Sequence, residues 1–164
     1  MTFEFKKHST LYSKRFEVMK NRISDLCPNK LMIEHIGSTA IIGLGGKGII
    51  DISIGIKKWS EAEEVLKALR KLGFKHFHDI ENHSIFVSTK AHCEENDFHV
   101  HIGRINTKRY KKTLDFRDIL RKNPRLARAY SKIKKEAFQK SRENRKLYKR
   151  IKNDWFMSLD GRKF

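Results

Sequence analysis

The chain has 164 residues, 38% of them apolar and 34% charged, with 37 Lys and Arg against 19 Asp and Glu. That length suits one domain with its own core over 1–164, and two prolines and nine glycines exclude disordered and collagen-like classes. Its apolar runs, such as residues 40–44, are far too short for a membrane-crossing helix. Residues 1–7 are charged at once, unlike a secretory signal. Cys27 and Cys93 are too few for a disulfide scaffold or a four-thiolate zinc site, and read as ordinary thiols of a reducing compartment. A basic, cytoplasmic protein is expected, with no membrane partner.

In chain order, Leu11, Phe16, Met19, Ile23 and Leu26 recur at helical spacing and predict an amphipathic helix over 9–26. Pro28 ends it, because a residue before proline leaves the helical region. Residues 31–36 are apolar and β-branched, a strand running into Gly37-Ser38. Residues 40–48 carry four glycines and read as a short helical turn plus loop. Residues 49–56 return as a strand with Ile50, Ile52, Ile54 and Ile56 on one face and Asp51, Ser53 and Gly55 on the other. Ser60 followed by Glu63 reads as a capping box, with Val65, Leu66, Leu69 and Leu72 the buried stripe and Gly73 the stop. Residues 74–79 and 83–89 predict two strands around a turn at Glu81-Asn82. The run Asp97-Phe98-His99-Val100-His101-Ile102 alternates, which sends Phe98, Val100 and Ile102 to the core and Asp97, His99 and His101 the other way. A helix follows through Leu114, Ile119 and Leu120. Asn123-Pro124 then caps one or two long helices over 125–157. The architecture expected is α/β (α+β), a mixed sheet with flanking helices and a basic helical C-terminal third.

The charge is unevenly placed. Residues 104–164 hold 22 Lys and Arg against 6 Asp and Glu, a net of +16, whereas residues 1–103 net only +2. A field of that sign attracts polyanions. It makes phosphate contact plausible, with weak RNA binding through the C-terminal helices as one form of it, but a solvated helix face carries the same composition.

The segment from Ile33 to Ile52 holds the chemistry. A strand delivers Gly37-Ser38 to a short turn, where free backbone N–H groups and a hydroxyl can hold a triphosphate. Twelve residues later Asp51 projects from the returning strand toward the same place. A carboxylate there suits Mg2+, which shares its shell between phosphate oxygens and a few carboxylates. A Gly-Ser pair followed by an acid on the next strand resembles the nucleotidyltransferase superfold related to DNA polymerase β.

The wider string His35-Ile36-Gly37-Ser38-Thr39-Ala40, Gly43-Leu44, Lys47 and Ile50-Asp51-Ile52 closely resembles the GrpB family. So do His99-Val100-His101-Ile102, the run from Leu114 to Leu120, Pro124, Leu126-Ala127, Tyr130 and Lys134, which extends the resemblance over roughly residues 8–157. The family implies a cytoplasmic, nucleotidyltransferase-like α/β domain, found alone or fused to dephospho-CoA kinase, with a poorly defined substrate. On that resemblance Asp51 and Asp97 are the expected catalytic residues. Gly37, Ser38, Thr39 and Lys47 are expected to bind phosphate, and Asp51, His99 and His101 a metal. The cofactor expected is Mg2+ or Mn2+, with Zn2+ admitted by the imidazoles, and an NTP is the expected substrate. One departure matters: active nucleotidyltransferases pair two acids as Asp-x-Asp or Asp-x-Glu to bridge two metal ions, and here the pair is Asp51-Ile52-Ser53.

Two readings remain open at this point. One is an enzyme moving a nucleoside monophosphate from an NTP to an acceptor. The other is a module of the same fold, without chemistry, that binds a nucleotide or RNA. His35 reads as a residue pinning the turn, and Arg117 as part of an ion pair within its own helix beside Asp115 and Asp118.

Overall fold

A computed structural model describes residues 5–28, 30–80, 84–88, 97–141 and 144–158. The turn expected at Glu81-Asn82, and Cys93, lie outside the described residues. Five strands form one mixed sheet: β1 (Met32–Ile36), β2 (Ile50–Ile56), β3 (His76–Ile80), β4 (Ser84–Ser88) and β5 (Phe98–Arg104). Their order is β1-β2-β5-β4-β3, with β2 and β5 parallel and every other neighbouring pair antiparallel.

One face of the sheet makes the main core. Ile50, Ile52, Ile54 and Ile56 are fully buried with Val100 and Ile102. They pack against Tyr12, Phe16, Met19 and Ile23 of α1 (Leu11–Leu26) and against Val65, Ala68 and Leu69 of α2 (Ala62–Lys71). Each such aliphatic side chain contributes about 1.5–3 kcal/mol on burial. The isoleucine face expected from alternation is therefore the face that two amphipathic helices cover. Cys27, at the end of α1, is a buried free thiol.

The opposite face carries Asp51, Ser53, His99 and His101, and the C-terminal helices α3 (Lys108–Lys122), α4 (Pro124–Ser141) and α5 (Arg145–Met157) stand over it. Residues 125–157 therefore form two helices, and Asn123 caps the first by accepting from the Leu126 amide at 3.1 Å. A second small core, Ile41, Leu44, Leu120, Leu126 and Ala127, ties α3 and α4 to the loop after β1.

Two local expectations are corrected. The capping box at Ser60 does not form: Ser60 sits inside a 3-10 turn (Trp59–Glu61), and Glu61 Oε2 instead accepts from the Lys57 amide at 2.9 Å. The short turn after β1 spans Ser38–Ala40 and not the glycines beyond it. Those glycines form an open loop that pairs Gly46 with Lys6. Gly73 does stop α2: its φ is 87°, and Phe74 and Gly73 donate back to Leu69 and Arg70.

Candidate functional site

Strand register builds the site. Ile36 of β1 pairs with Asp51 of β2, and Asp51 pairs with His99 of β5, so neighbours in register present the same face. Asp51 Oδ1 lies 3.7 Å from His99 Nδ1 and 3.8 Å from His101 Nε2. Gly37 leaves β1 with φ 70°, and a Cβ there would overlap the Asp51 carboxylate. Only glycine brings the Gly-Ser turn that close. Gly37, Asp51, Ser53 and His101 line one cavity of about 700 Å3, with Phe116, Tyr130 and Lys152 on its far side.

Asp97 stands behind the histidines. Its side chain is wholly buried, with Oδ2 at 3.2 Å from His99 Nε2. A buried carboxylate at that distance favours the imidazole proton on Nε2. Phe86 of β4 meets both rings, edge-on to His99 with centroids 4.9 Å apart.

The phosphate residues expected from sequence separate. Ser38 Oγ points at Gly46, where a Cβ would lie 2.7 Å from it. Thr39 is buried, donates its hydroxyl to Ile49 O at 2.9 Å and meets His35 Nε2 at 3.0 Å, so its side chain holds the loop and does not face the cleft. His35 stacks on Phe16 with centroids 4.6 Å apart, and burial, its largest influence, lowers its pKa to about 4. It pins the turn, as the sequence suggested. Lys47 lies over the Tyr148 ring at 5.5 Å, and Lys152 lies over the same ring at 4.4 Å.

Sequence reasoning missed Lys134 as a site residue. It is 4% exposed, and its Nζ donates to Gly45 O at 2.7 Å. A Cβ on Gly46 would lie 2.7 Å from both this nitrogen and Ser38 Oγ, so the ammonium and the hydroxyl converge. Burial, then Lys152 and Lys47, lower its pKa to about 7, while Asp51 opposes the shift. Lys152 is lowered too, by burial first. Three lysines therefore share one field around a Gly-rich turn, with Asp51 the acid acting on Lys134 and Lys152. The only sequence signal was Lys134's place in the family pattern; its burial depends on how α4 packs.

The donor set is open. Among the described residues no three His, Cys, Asp or Glu groups already close on one point. Asp51 with one imidazole leaves room for ligand oxygens, which fits a cation that completes its shell with phosphate better than a closed tetrahedral zinc cage.

A UPF0157 protein of Streptomyces coelicolor is 28% identical over 143 residues, covering 87% of this chain and 74% of its own length. The crystal structure of the conserved protein GrpB from Enterococcus faecalis aligns with a TM-score of 0.75 at 22% identity, over 92% of this chain and 96% of that one. The Cid1 poly(U) polymerase, solved with MgGTP, aligns with a TM-score of 0.53 at 18% identity, over 80% of this chain but 44% of the polymerase. At such identities the likeness shows the fold alone, one this chain shares with that GrpB and with the Cid1 poly(U) polymerase. No helix among the described residues is long and apolar enough to cross a membrane. Residues 2–162 match the family described as GrpB protein, and the chain belongs to that family.

Proposed function

We propose that the protein binds a nucleoside triphosphate in this cleft and transfers its nucleoside monophosphate to an acceptor. The observation that carries the reading is the convergence of Ser38, Lys134 and Asp51 around the Gly37 and Gly46 backbones. Lys134 stands beside two further lysines with Asp51 the acid acting on it, and a polyphosphate brings the negative charge that such a cluster favours. Ser38, Lys134, Lys152 and Lys47 hold the β- and γ-phosphates. Asp51, with His99 or His101, would hold Mg2+ or Mn2+. When bound, the cation supplies charge for the phosphate oxygens and lowers the pKa of an acceptor hydroxyl. The acceptor hydroxyl gives its proton to solvent, and its oxygen bonds to the α-phosphorus as the bond to pyrophosphate breaks. Likeness to a poly(U) polymerase that takes nucleotides supports this class of substrate.

A second reading has its own observation. Ser53 occupies the place of the second acid and is 3% exposed, in the cavity wall with Tyr110. A site with one carboxylate can keep nucleotide binding and lose turnover, which leaves a module for nucleotides or RNA.

Titration calorimetry with each NTP and Mg2+ or Mn2+ tests binding, with Asp51→Asn beside the parent. Ligand at 100-fold excess over its Kd adds about 2.7 kcal/mol of stability, so thermal shifts report it independently. Asp51→Asn is expected to keep the fold and lose the metal-dependent part of the affinity. Equal metal-dependent affinity in both proteins would remove Asp51 from the site.

A further inference from the structure

The family motif running through Leu114–Leu120 has no part in the chemistry above, yet two arginines of that helix, four residues apart and therefore on one face, reach the Gly-Ser turn. Arg117 is 8% exposed. Its Nη1 donates to Glu34 Oε2 at 2.6 Å and to His35 O at 3.1 Å, and its Nε donates to Asp118 Oδ1 at 2.8 Å. The intrahelical pair expected from sequence exists, but the same guanidinium also ties α3 to the end of β1. Arg121 donates from Nε to Ala40 O at 2.9 Å. One arginine thus holds the residues entering the turn, and the other holds the carbonyl that closes it.

The turn needs such support. It is a single 3-10 turn of three residues entered through a positive-φ glycine, and so short a turn does not sustain itself. Inside it, Ile41 donates to Ser38 O at 3.2 Å, and Thr39 ties it to Ile49, the residue before β2. The arginines supply the ties from the other side of the sheet. They come from the helix joined through Asn123 to α4, which carries Lys134. Whatever fixes α3 against the turn therefore also fixes Lys134 against Ser38.

We infer that Arg121, with α3 anchored by Arg117, is a positioning residue that locks the Ser38–Ala40 turn in the form that accepts a polyphosphate. The inference rests on the triphosphate reading for its ligand, but its effect on the turn is separate. Arg121 touches a backbone carbonyl and not the reacting atoms. A lysine there can still donate to Ala40 O, whereas a methionine keeps a similar length with no donor and no charge.

The test uses the full chain, with inorganic tripolyphosphate and Mg2+ as the probe in calorimetry and amide hydrogen exchange at Ile41 as the readout of the turn. Arg121→Met is expected to weaken tripolyphosphate at least tenfold and to speed exchange at Ile41, with exchange at Val100 in the core unchanged. Arg121→Lys is expected to restore most of both. Weaker binding with unchanged exchange at Ile41 would make Arg121 a plain charge contact and overturn the inference. Faster exchange with parental affinity would overturn it equally. If the parent binds no tripolyphosphate, the triphosphate reading fails, and exchange at Ile41 alone decides: faster in Arg121→Met and restored in Arg121→Lys supports positioning, unchanged overturns it.

Discussion

The Gly37 backbone and the Asp51 carboxylate occupy adjoining space, so that one methyl group added to Gly37 would overlap Oδ2. A turn meant only to reverse the chain has no need to press on an acid. Pressed there, it brings whatever the turn holds within reach of that carboxylate.

Gly37→Ala therefore strains the backbone at φ 70° and drives a methyl into Asp51 at once. The expected cost is about 2–4 kcal/mol, from the left-handed conformation and the overpacking together. Denaturant melts check it. Gly43→Ala is the control, since Gly43 has a φ of 79° but nothing within 4 Å of its Cβ, and it is expected to cost about 1–2 kcal/mol. Equal losses in the two variants would mean that Asp51 yields freely to the methyl.

Asp97 tests the carboxylate–imidazole pair. It is buried behind His99 and was expected from sequence to be catalytic, but only its neighbour faces Asp51. Asp97→Asn keeps the shape and removes the charge that favours the Nε2 proton. Losing such an outer partner lowers metal affinity about 10–100-fold. Mn2+ titration with NTP present reads that loss, and an affinity within twofold of the parent would make Asp97 a packing residue alone.

Lys134 ties stability to pH. Its pKa falls to about 7 in the folded chain, from an ordinary 10.5, chiefly through burial. Between those values the unfolded chain binds the proton and the folded one does not, so stability rises with pH across that window. Below about pH 7 both states are protonated and the penalty is complete. Lys134→Met is therefore expected to raise Tm over the parent at pH 6.5, with the gain shrinking toward pH 10. The same variant is expected to weaken triphosphate binding by about 2–5 kcal/mol, some thirtyfold or more. Scanning fluorimetry at both pH values and calorimetry with NTP check the pair. A Tm difference independent of pH would show that the amine is not perturbed.

Alternation made much of the fold readable. The period-two runs at 50–56 and 98–102 identified both central strands and assigned their faces, because one face of each is packed by helices. Asp51, His99 and His101 were placed together for the same reason. Lys134 was not, since nothing in a lysine's helical neighbours marks it as buried; its solvent exclusion comes from α4 lying over the Gly-rich loop. Thr39 looked like a phosphate ligand within Gly-Ser-Thr, but its hydroxyl was already committed to Ile49 and His35 across ten and four residues. Ser60 does not cap because it lies inside a 3-10 turn that runs into α2, which puts Glu61 and not Ser60 at the cap position.

The charge of the C-terminal third separates the two readings through salt. Lys111, Lys112, Arg125, Arg128, Lys132 and Lys135 are all exposed on α3 and α4. Arg121, which the same charge run would include, is committed to Ala40 O and is left out. If the six face RNA, each neutralised phosphate releases counterions, with a slope near −0.7 per contact on single strands and −0.9 on duplex. Between 50 and 200 mM salt, six contacts then lose affinity by a few hundredfold on single strands and about a thousandfold on duplex. A nucleotide held by Ser38, Lys134 and one cation carries few charges and is expected to lose far less. Fluorescence anisotropy with a labelled oligonucleotide, alongside calorimetry with NTP at the same two salt concentrations, measures both slopes. Weak, salt-steep RNA binding without sequence preference is expected. No binding at 50 mM salt would leave the basic helices as a field that draws small polyphosphates toward Lys152 and Lys134, and would remove RNA as the partner.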